Sequence, residues 1–94
     1  MHADGRTLVV TGDVDMASAP AVIDAATAAP SRPARLHLGG VRFIDSTGVR
    51  ALVRIGELTG TPVTLVAPSE SVLRVIALVG LDRRSAEFEI VAGD

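Results

Sequence analysis

Residues 36–53, with the sequence LHLGGVRFIDSTGVRALV, join an apolar run to a segment with helical periodicity. The apolar run ends at Ile44 and predicts a strand, whereas Val49 begins apolar residues spaced as on one face of a helix. Asp45-Ser46-Thr47-Gly48 lies between them. The first turn of a helix carries unpaired backbone N–H groups and the positive end of the helix dipole. The junction therefore places the Ser46 hydroxyl where added negative charge is favoured.

The composition bounds what the chain can be. Its 94 residues are 48% apolar, which suits one compact core, so we expect a single domain over residues 1–94. A net charge of −2 gives no electrostatic reason to bind nucleic acid. No apolar stretch is as long as a membrane span, and the first residues lack a signal-peptide pattern. We therefore expect a cytoplasmic protein with no membrane contact.

Missing residue types narrow the chemistry further. The chain has no Cys and no Lys, which excludes thiolate catalysis, zinc–cysteine sites and Schiff-base chemistry. Its two His, at positions 2 and 37, are too far apart in sequence to indicate a metal site. We therefore expect no metal and no cofactor.

Apolar runs and helical periods alternate along the chain. The runs are continuous rather than alternating, which is typical of parallel strands, and the intervening helices require right-handed crossovers. The sequence predicts an α/β domain in which three helices pack on a mainly parallel sheet of four or more strands. The predicted strands are Leu8–Thr11, Arg35–Leu38, Val63–Val66 and Phe88–Val91, and the predicted helices are Ala19–Ala29, Thr47–Leu58 and one between Ser69 and Gly80.

Turn and capping residues separate these elements. Gly12 is predicted to close the first strand, with residues 12–15 as the following loop. Ser18 and Ser69 are predicted helix caps, and Gly60 and Gly80 are predicted helix ends. A further turn is predicted at residues 31–33. Four apolar residues of the third helix are expected to face inward: Val72, Val75, Ile76 and Val79.

Two motifs have superficial enzyme counterparts. Asp13-Val14-Asp15 after a strand is similar to the nucleophile motif of haloacid-dehalogenase-like phosphatases, but that chemistry also uses a Lys, which this chain lacks. Asp45-Ser46-Thr47-Gly48 is similar to the aspartic-protease triplet, but it contains one additional residue and precedes a helix rather than a strand. His37 lies in a predicted strand without the partners of a Ser–His–Asp set. We expect no enzyme activity.

Three segments together resemble a known family. Residues 12–15 (GDVD), residues 43–49 (FIDSTGV) and residues 79–82 (VGLD) have the order and spacing of the STAS domain, which occurs in sulfate transporters and anti-sigma factor antagonists. The resemblance covers about residues 8–91 and is strongest to the stand-alone bacterial antagonists. It implies a STAS-like fold.

The resemblance also implies a switch controlled by phosphorylation. Such antagonists, when unphosphorylated, bind an anti-sigma factor that is also a serine/threonine kinase, and so release a sigma factor. The kinase then modifies the first hydroxyl after the Asp, here Ser46, and a PP2C-type phosphatase reverses the modification. Thr47 is the second choice. The implied partner-binding residues are Asp13, Asp15, Asp45, Ser46, Thr47, Gly48 and Arg50.

Each of these residues also has a purely structural interpretation. Ser46 is a possible plain helix cap, and Asp45 can brace the turn through its backbone hydrogen bonds. Asp13 and Asp15 suit turns as well as partner contacts. Arg50 suits a solvated helix face.

The resemblance leaves other roles open. A subunit of a lipid-trafficking ABC transporter that docks on its ATPase, or a stressosome-like scaffold component, would use the same domain. Only about seven residues precede Leu8, where family members carry an additional strand, so we expect a bare sheet edge. The expected oligomeric state is a monomer or a weak homodimer.

Overall fold

The computed structural model describes residues 1–4, 7–28, 35–60, 62–84 and 86–92. Strands and helices alternate as the sequence predicts. The strands are β1 (His2–Asp4), β2 (Thr7–Val14), β3 (Arg35–Ile44), β4 (Val63–Val66) and β5 (Phe88–Val91). The helices are α1 (Ala19–Ala28), α2 (Ser46–Thr59) and α3 (Glu70–Val79), and a single 3₁₀ turn covers Leu81–Arg83.

The strands form one five-stranded sheet in the order β1-β2-β3-β4-β5. The pairs β2–β3, β3–β4 and β4–β5 are parallel, which confirms the α/β class and the mainly parallel sheet. Strand β1 pairs antiparallel with β2, with His2 opposite Val9. The bare edge expected beside β2 is therefore wrong, because the few residues before Leu8 suffice for a short covering strand.

The core lies on one face of the sheet. Leu8, Leu36 and Leu65 stand side by side across β2, β3 and β4, and all three are buried. All three helices add side chains to the same cluster, among them Val22, Leu52 and Ile76. Burying each such side chain contributes about 1.5–3 kcal/mol. The helices therefore cover this face.

Two strands are longer than predicted. Strand β2 continues past Gly12 to Val14, and β3 continues through residues 39 and 40 to Ile44. The register shifts between Gly12 and Asp13, where Gly12 has a φ of +83°, which suits glycine. Because of this shift, the pairing of β2 with β3 continues past Gly12, where the sequence predicts the strand to end. Asp13 consequently lies in a strand and not in a loop.

The helix ends follow the predicted signals closely. Helix α2 extends one residue beyond the prediction at each end, and Gly60 ends it in the left-handed conformation. Ser69 caps α3 by accepting from the Val72 N–H, and Gly80 ends that helix with Leu81 buried behind it. The end of α1 at Ala29 and the turn at residues 31–33 lie outside the described residues.

One residue expected in the core is at the surface, and some residues not predicted for the core are buried. Val79 is half exposed, since it is the last residue of α3 and the chain turns away at Gly80. Ala51 and Ile55 are buried in α2, together with Leu52 and with Val49, where the apolar helical spacing begins. The buried arc of α2 is thus wider than its sequence pattern indicates.

Ala67 is a site of backbone strain directly after β4. Its φ of +51° lies in the left-handed region, where a β-carbon costs roughly 1 kcal/mol. We expect Ala67→Gly to stabilise the fold by about 0.5–1 kcal/mol, measured by denaturant unfolding. The control is Ala77→Gly at an exposed position of α3, which should instead destabilise by about 1 kcal/mol. Destabilisation by both variants would contradict the strain.

Candidate functional site

The candidate site lies where two strands end and a helix begins. Val14 and Ile44 are paired at the carboxyl ends of β2 and β3. Asp45 follows directly, and its N–H donates to the Val14 carbonyl at 3.3 Å. Helix α2 then starts at Ser46. The junction predicted from the sequence is therefore attached to both β2 and β3.

Asp45 is the N-cap of α2. Its backbone is extended, with φ −111° and ψ −173°, and its Oδ1 accepts from the Gly48 N–H at 2.9 Å. Its carbonyl accepts from the Val49 N–H at 2.9 Å. A cap of this kind is worth about 1 kcal/mol. Asp45 therefore braces the turn, in agreement with its structural interpretation.

Ser46 is the first residue of the helix and not its cap. The residue is exposed, and its hydroxyl has no hydrogen-bond partner among the described residues. Thr47 is partly buried. Of the two residues, Ser46 is thus the more exposed, and its choice as the phosphorylation site stays a prediction.

Gly48 lets α2 pack against the end of β2. A β-carbon at this position would lie 2.6 Å from Ile44 Cγ1 and closer still to the Val14 carbonyl oxygen. The second neighbour is backbone, which a rotamer change cannot move. Glycine is therefore required by close approach, and Gly48 is buried beneath the site.

The loop before α1 is held by Asp15 and Ser18. Asp15 Oδ1 accepts from the N–H groups of Ala17 at 3.0 Å and Ser18 at 3.1 Å. In return Ser18 Oγ accepts from the Asp15 N–H at 3.0 Å and donates to the Asp13 carbonyl at 2.7 Å. Ser18 thus bonds backward into the loop, and the helix-capping bond predicted for it is not formed. Asp15 is a turn former.

Asp13 is on the strand beside this loop, and its side chain is half exposed. It forms an ion pair with Arg42 at 3.8 Å, with Arg42 mostly in solvent. Such an exposed pair contributes between zero and about 1 kcal/mol. The pair does, however, place a positive charge beside Asp13 at this part of the surface.

Arg50 lies one helical turn after Ser46. Both residues are exposed, and a separation of four residues puts them side by side on the helix surface. Among the described residues Arg50 has no ion-pair partner, whereas Arg54, on the same helix, pairs with Glu57 at 3.4 Å.

Two apolar side chains at this end of the sheet are in solvent. Met16, in the loop before α1, is 77% exposed, and Phe43, near the end of β3, is 51% exposed. The sequence pattern places Phe43 in an apolar run and gives no special role to Met16. The exposure of Phe43 follows from its pairing with Asp13 across β2 and β3, which the sequence pattern does not specify.

The described residues offer no feature of a metal site or a membrane span. They contain no group of three His, Asp or Glu side chains placed to hold a metal ion. No helix among them has the length and apolar character needed to cross a membrane. His37 is partly buried, and its Nδ1 accepts from the Gly39 N–H at 3.3 Å.

The packing of Gly48 is testable by a matched pair of variants. We expect Gly48→Ala to destabilise the protein by ~2–3 kcal/mol, because the new methyl group meets the Val14 backbone. The control, Gly56→Ala, lies in the same helix, and its β-carbon would meet only Val63 Cγ2 at 3.4 Å. That variant should be neutral or up to about 1 kcal/mol more stable. Equal stability of the two variants in chemical denaturation would refute the close approach.

Comparison with known proteins identifies the family. The family model described as "Mlab, STAS domain" matches residues 1–92. The fold is similar to the crystal structure of a proposed anti-sigma factor antagonist from Thermotoga maritima, with a TM-score of 0.74 and 23% identity over 96% of this chain and 82% of that one. No curated protein sequence matched. The chain belongs to the STAS domain family.

Proposed function

We propose that the chain is an anti-sigma factor antagonist whose binding to an anti-sigma factor serine/threonine kinase is switched off by phosphorylation of Ser46. A PP2C-type phosphatase restores the binding state. The protein acts in the cytoplasm as a monomer or weak homodimer. The observation that carries the proposal is the exposed Ser46 hydroxyl, which takes no part in capping the helix on which it stands.

The fold can accept a phosphate at this position. A phosphoserine carries about −1.5 to −2 charges at pH 7. At the start of α2 the helix dipole favours that charge by about 0.3–1 kcal/mol. The cap does not have to break, since Asp45 supplies it. Release of the partner therefore does not depend on unfolding.

The same charge is decisive at an interface. One unit of repulsion from a partner carboxylate ~5 Å away, at an effective dielectric of ~20, amounts to roughly 3 kcal/mol. That corresponds to about a hundredfold loss of affinity before any steric effect. The effect on binding is therefore several times larger than the effect on the fold.

The residues of the site divide into two roles. Asp45 and Gly48 hold the turn, and Asp15 holds the neighbouring loop. Asp13, Ser46, Thr47 and Arg50 present side chains toward the partner. The family resemblance implies that Asp15 contacts the partner. Because its Oδ1 accepts backbone N–H groups of the loop, its Oδ2 would make that contact.

The first experiment tests the modification itself. The purified chain is incubated with a candidate anti-sigma factor kinase and ATP, beside the variant Ser46→Ala. Mass spectrometry should find one phosphate on the wild-type chain and none on the variant. Phosphate on both proteins would move the site away from Ser46, with Thr47 as the next residue to replace.

The second experiment separates binding from stability. We expect Ser46→Asp to bind the kinase about a hundredfold more weakly than Ser46→Ala in isothermal titration calorimetry. The thermal midpoints of the two variants should agree within a few degrees, because the new carboxylate lies at the favourable end of the helix dipole. Equal affinities would contradict the electrostatic switch, and a large drop in the midpoint would point to unfolding instead.

The transporter subunit is the second candidate function. The description of the matching family model names Mlab and mentions no sigma factor. A STAS subunit docked on an ATPase would use the same exposed turn without needing phosphorylation. Co-purification of the chain with an ATPase and a membrane permease, together with no phosphate on Ser46, would favour this candidate.

A further inference from the structure

We propose that Met16 and Phe43 are the apolar anchors of the partner interface around Ser46, and that Arg50 receives a carboxylate from the partner. This inference rests on the proposed function, because it names the chemistry of the surface that the switch releases. The partner surface would be an apolar pocket with an acidic side chain at its border.

Both apolar residues are close enough to Ser46 for one interface of ordinary size to cover all three. A standard interface buries roughly 800 Å² on each partner, which is a patch about 32 Å across. Phe43 is three residues from Ser46, so their Cα atoms are at most about 11 Å apart. Met16 is two residues beyond Val14, whose carbonyl accepts from the Asp45 N–H, so its Cα lies within roughly 18 Å of that of Ser46.

The chemistry of these side chains suits the centre of an interface. Met, aromatic residues and Arg are the types enriched at protein interfaces. Met16 and Phe43 are 77% and 51% exposed, so each leaves a large apolar surface in water that a partner would remove. The fold itself does not bury them.

The charges around the patch leave one position for a partner's counterion. Asp13 is paired with Arg42, and the carboxylates of Asp15 and Asp45 each accept backbone N–H groups. Among the described residues, Arg50 has neither an ion-pair partner nor a side-chain hydrogen bond, in contrast to these charged neighbours. A carboxylate that binds Arg50 would also lie beside Ser46, four residues earlier on the same helix face. A phosphate on Ser46 would therefore repel that carboxylate and compete with it for Arg50.

The test compares variants with controls of matched exposure. Helix α3 runs from the carboxyl end of β4 back toward the amino end of β5. Its last residues therefore lie near the amino ends of the parallel strands, whereas Ser46 lies at their carboxyl ends. There Leu78 is 80% exposed and Val79 is 50% exposed, close to the values for Met16 and Phe43. The interface variants are Met16→Gln and Phe43→Thr, and their controls are Leu78→Gln and Val79→Thr.

Binding is measured by calorimetry with the recombinant anti-sigma factor kinase, using the full chain. We expect Phe43→Thr to weaken binding at least tenfold, Met16→Gln about fivefold, and the controls less than twofold. Arg50→Gln should weaken binding and reduce its dependence on salt concentration, whereas Arg74→Gln, in the exposed pair with Glu70, should do neither. Thermal midpoints of all variants verify that each one is folded.

The outcomes separate this inference from the proposed function. If Ser46→Asp abolishes binding while the Met16 and Phe43 variants bind like their controls, the anchors are overturned and the switch stands. If Ser46→Asp binds like the wild type while the anchor variants bind weakly, the switch fails and the interface stands. Absence of any binding by the wild-type chain would overturn both.

Discussion

The Asp45 cap is the interaction on which the rest of the site depends. Its N–H bonds to the end of β2, its position in the chain continues β3, and its carboxylate starts α2 through the Gly48 N–H. One residue thereby connects three elements that are far apart in sequence or differ in type. Gly48 completes the joint, because the absence of a side chain lets the helix start directly on the Val14 carbonyl. The positions of Ser46 and Arg50 follow from this joint, because both residues stand on the helix that it starts.

The Asp45 cap also explains why the Ser46 hydroxyl, at the start of α2, is not needed for a capping hydrogen bond. A serine at an N-cap would lose its capping bond on phosphorylation, at a cost of about 1 kcal/mol. Here Asp45 takes that role, and Ser46 is left in solvent. The same separation occurs in the neighbouring loop, where Asp15 and Ser18 satisfy each other and the exposed Met16 adds nothing to the turn.

Much of the fold could be predicted because its signals are local. Four strands, three helices, the Ser69 cap and the glycine helix ends follow from residues within one or two turns of each other. The departures have non-local causes. Gly12 reads as a strand end, but the neighbouring β3 accommodates it through a shift of register. The short strand β1 has too few residues for a pattern, and it forms because β2 offers an open edge.

The sequence by itself determined the strand–turn–helix at residues 43–49 and the hydroxyl at the helix start. These depend on backbone conformation and on bonds between residues at most a few positions apart. Only the tertiary structure decided that Asp13 is paired with Arg42 and which apolar side chains are left in water. Asp13 forms an ion pair with Arg42, which lies on the neighbouring strand β3. Phe43 and Met16 lie near Ser46 because β2 and β3 end side by side. Those relations depend on pairing between distant segments, which no local pattern of residues specifies.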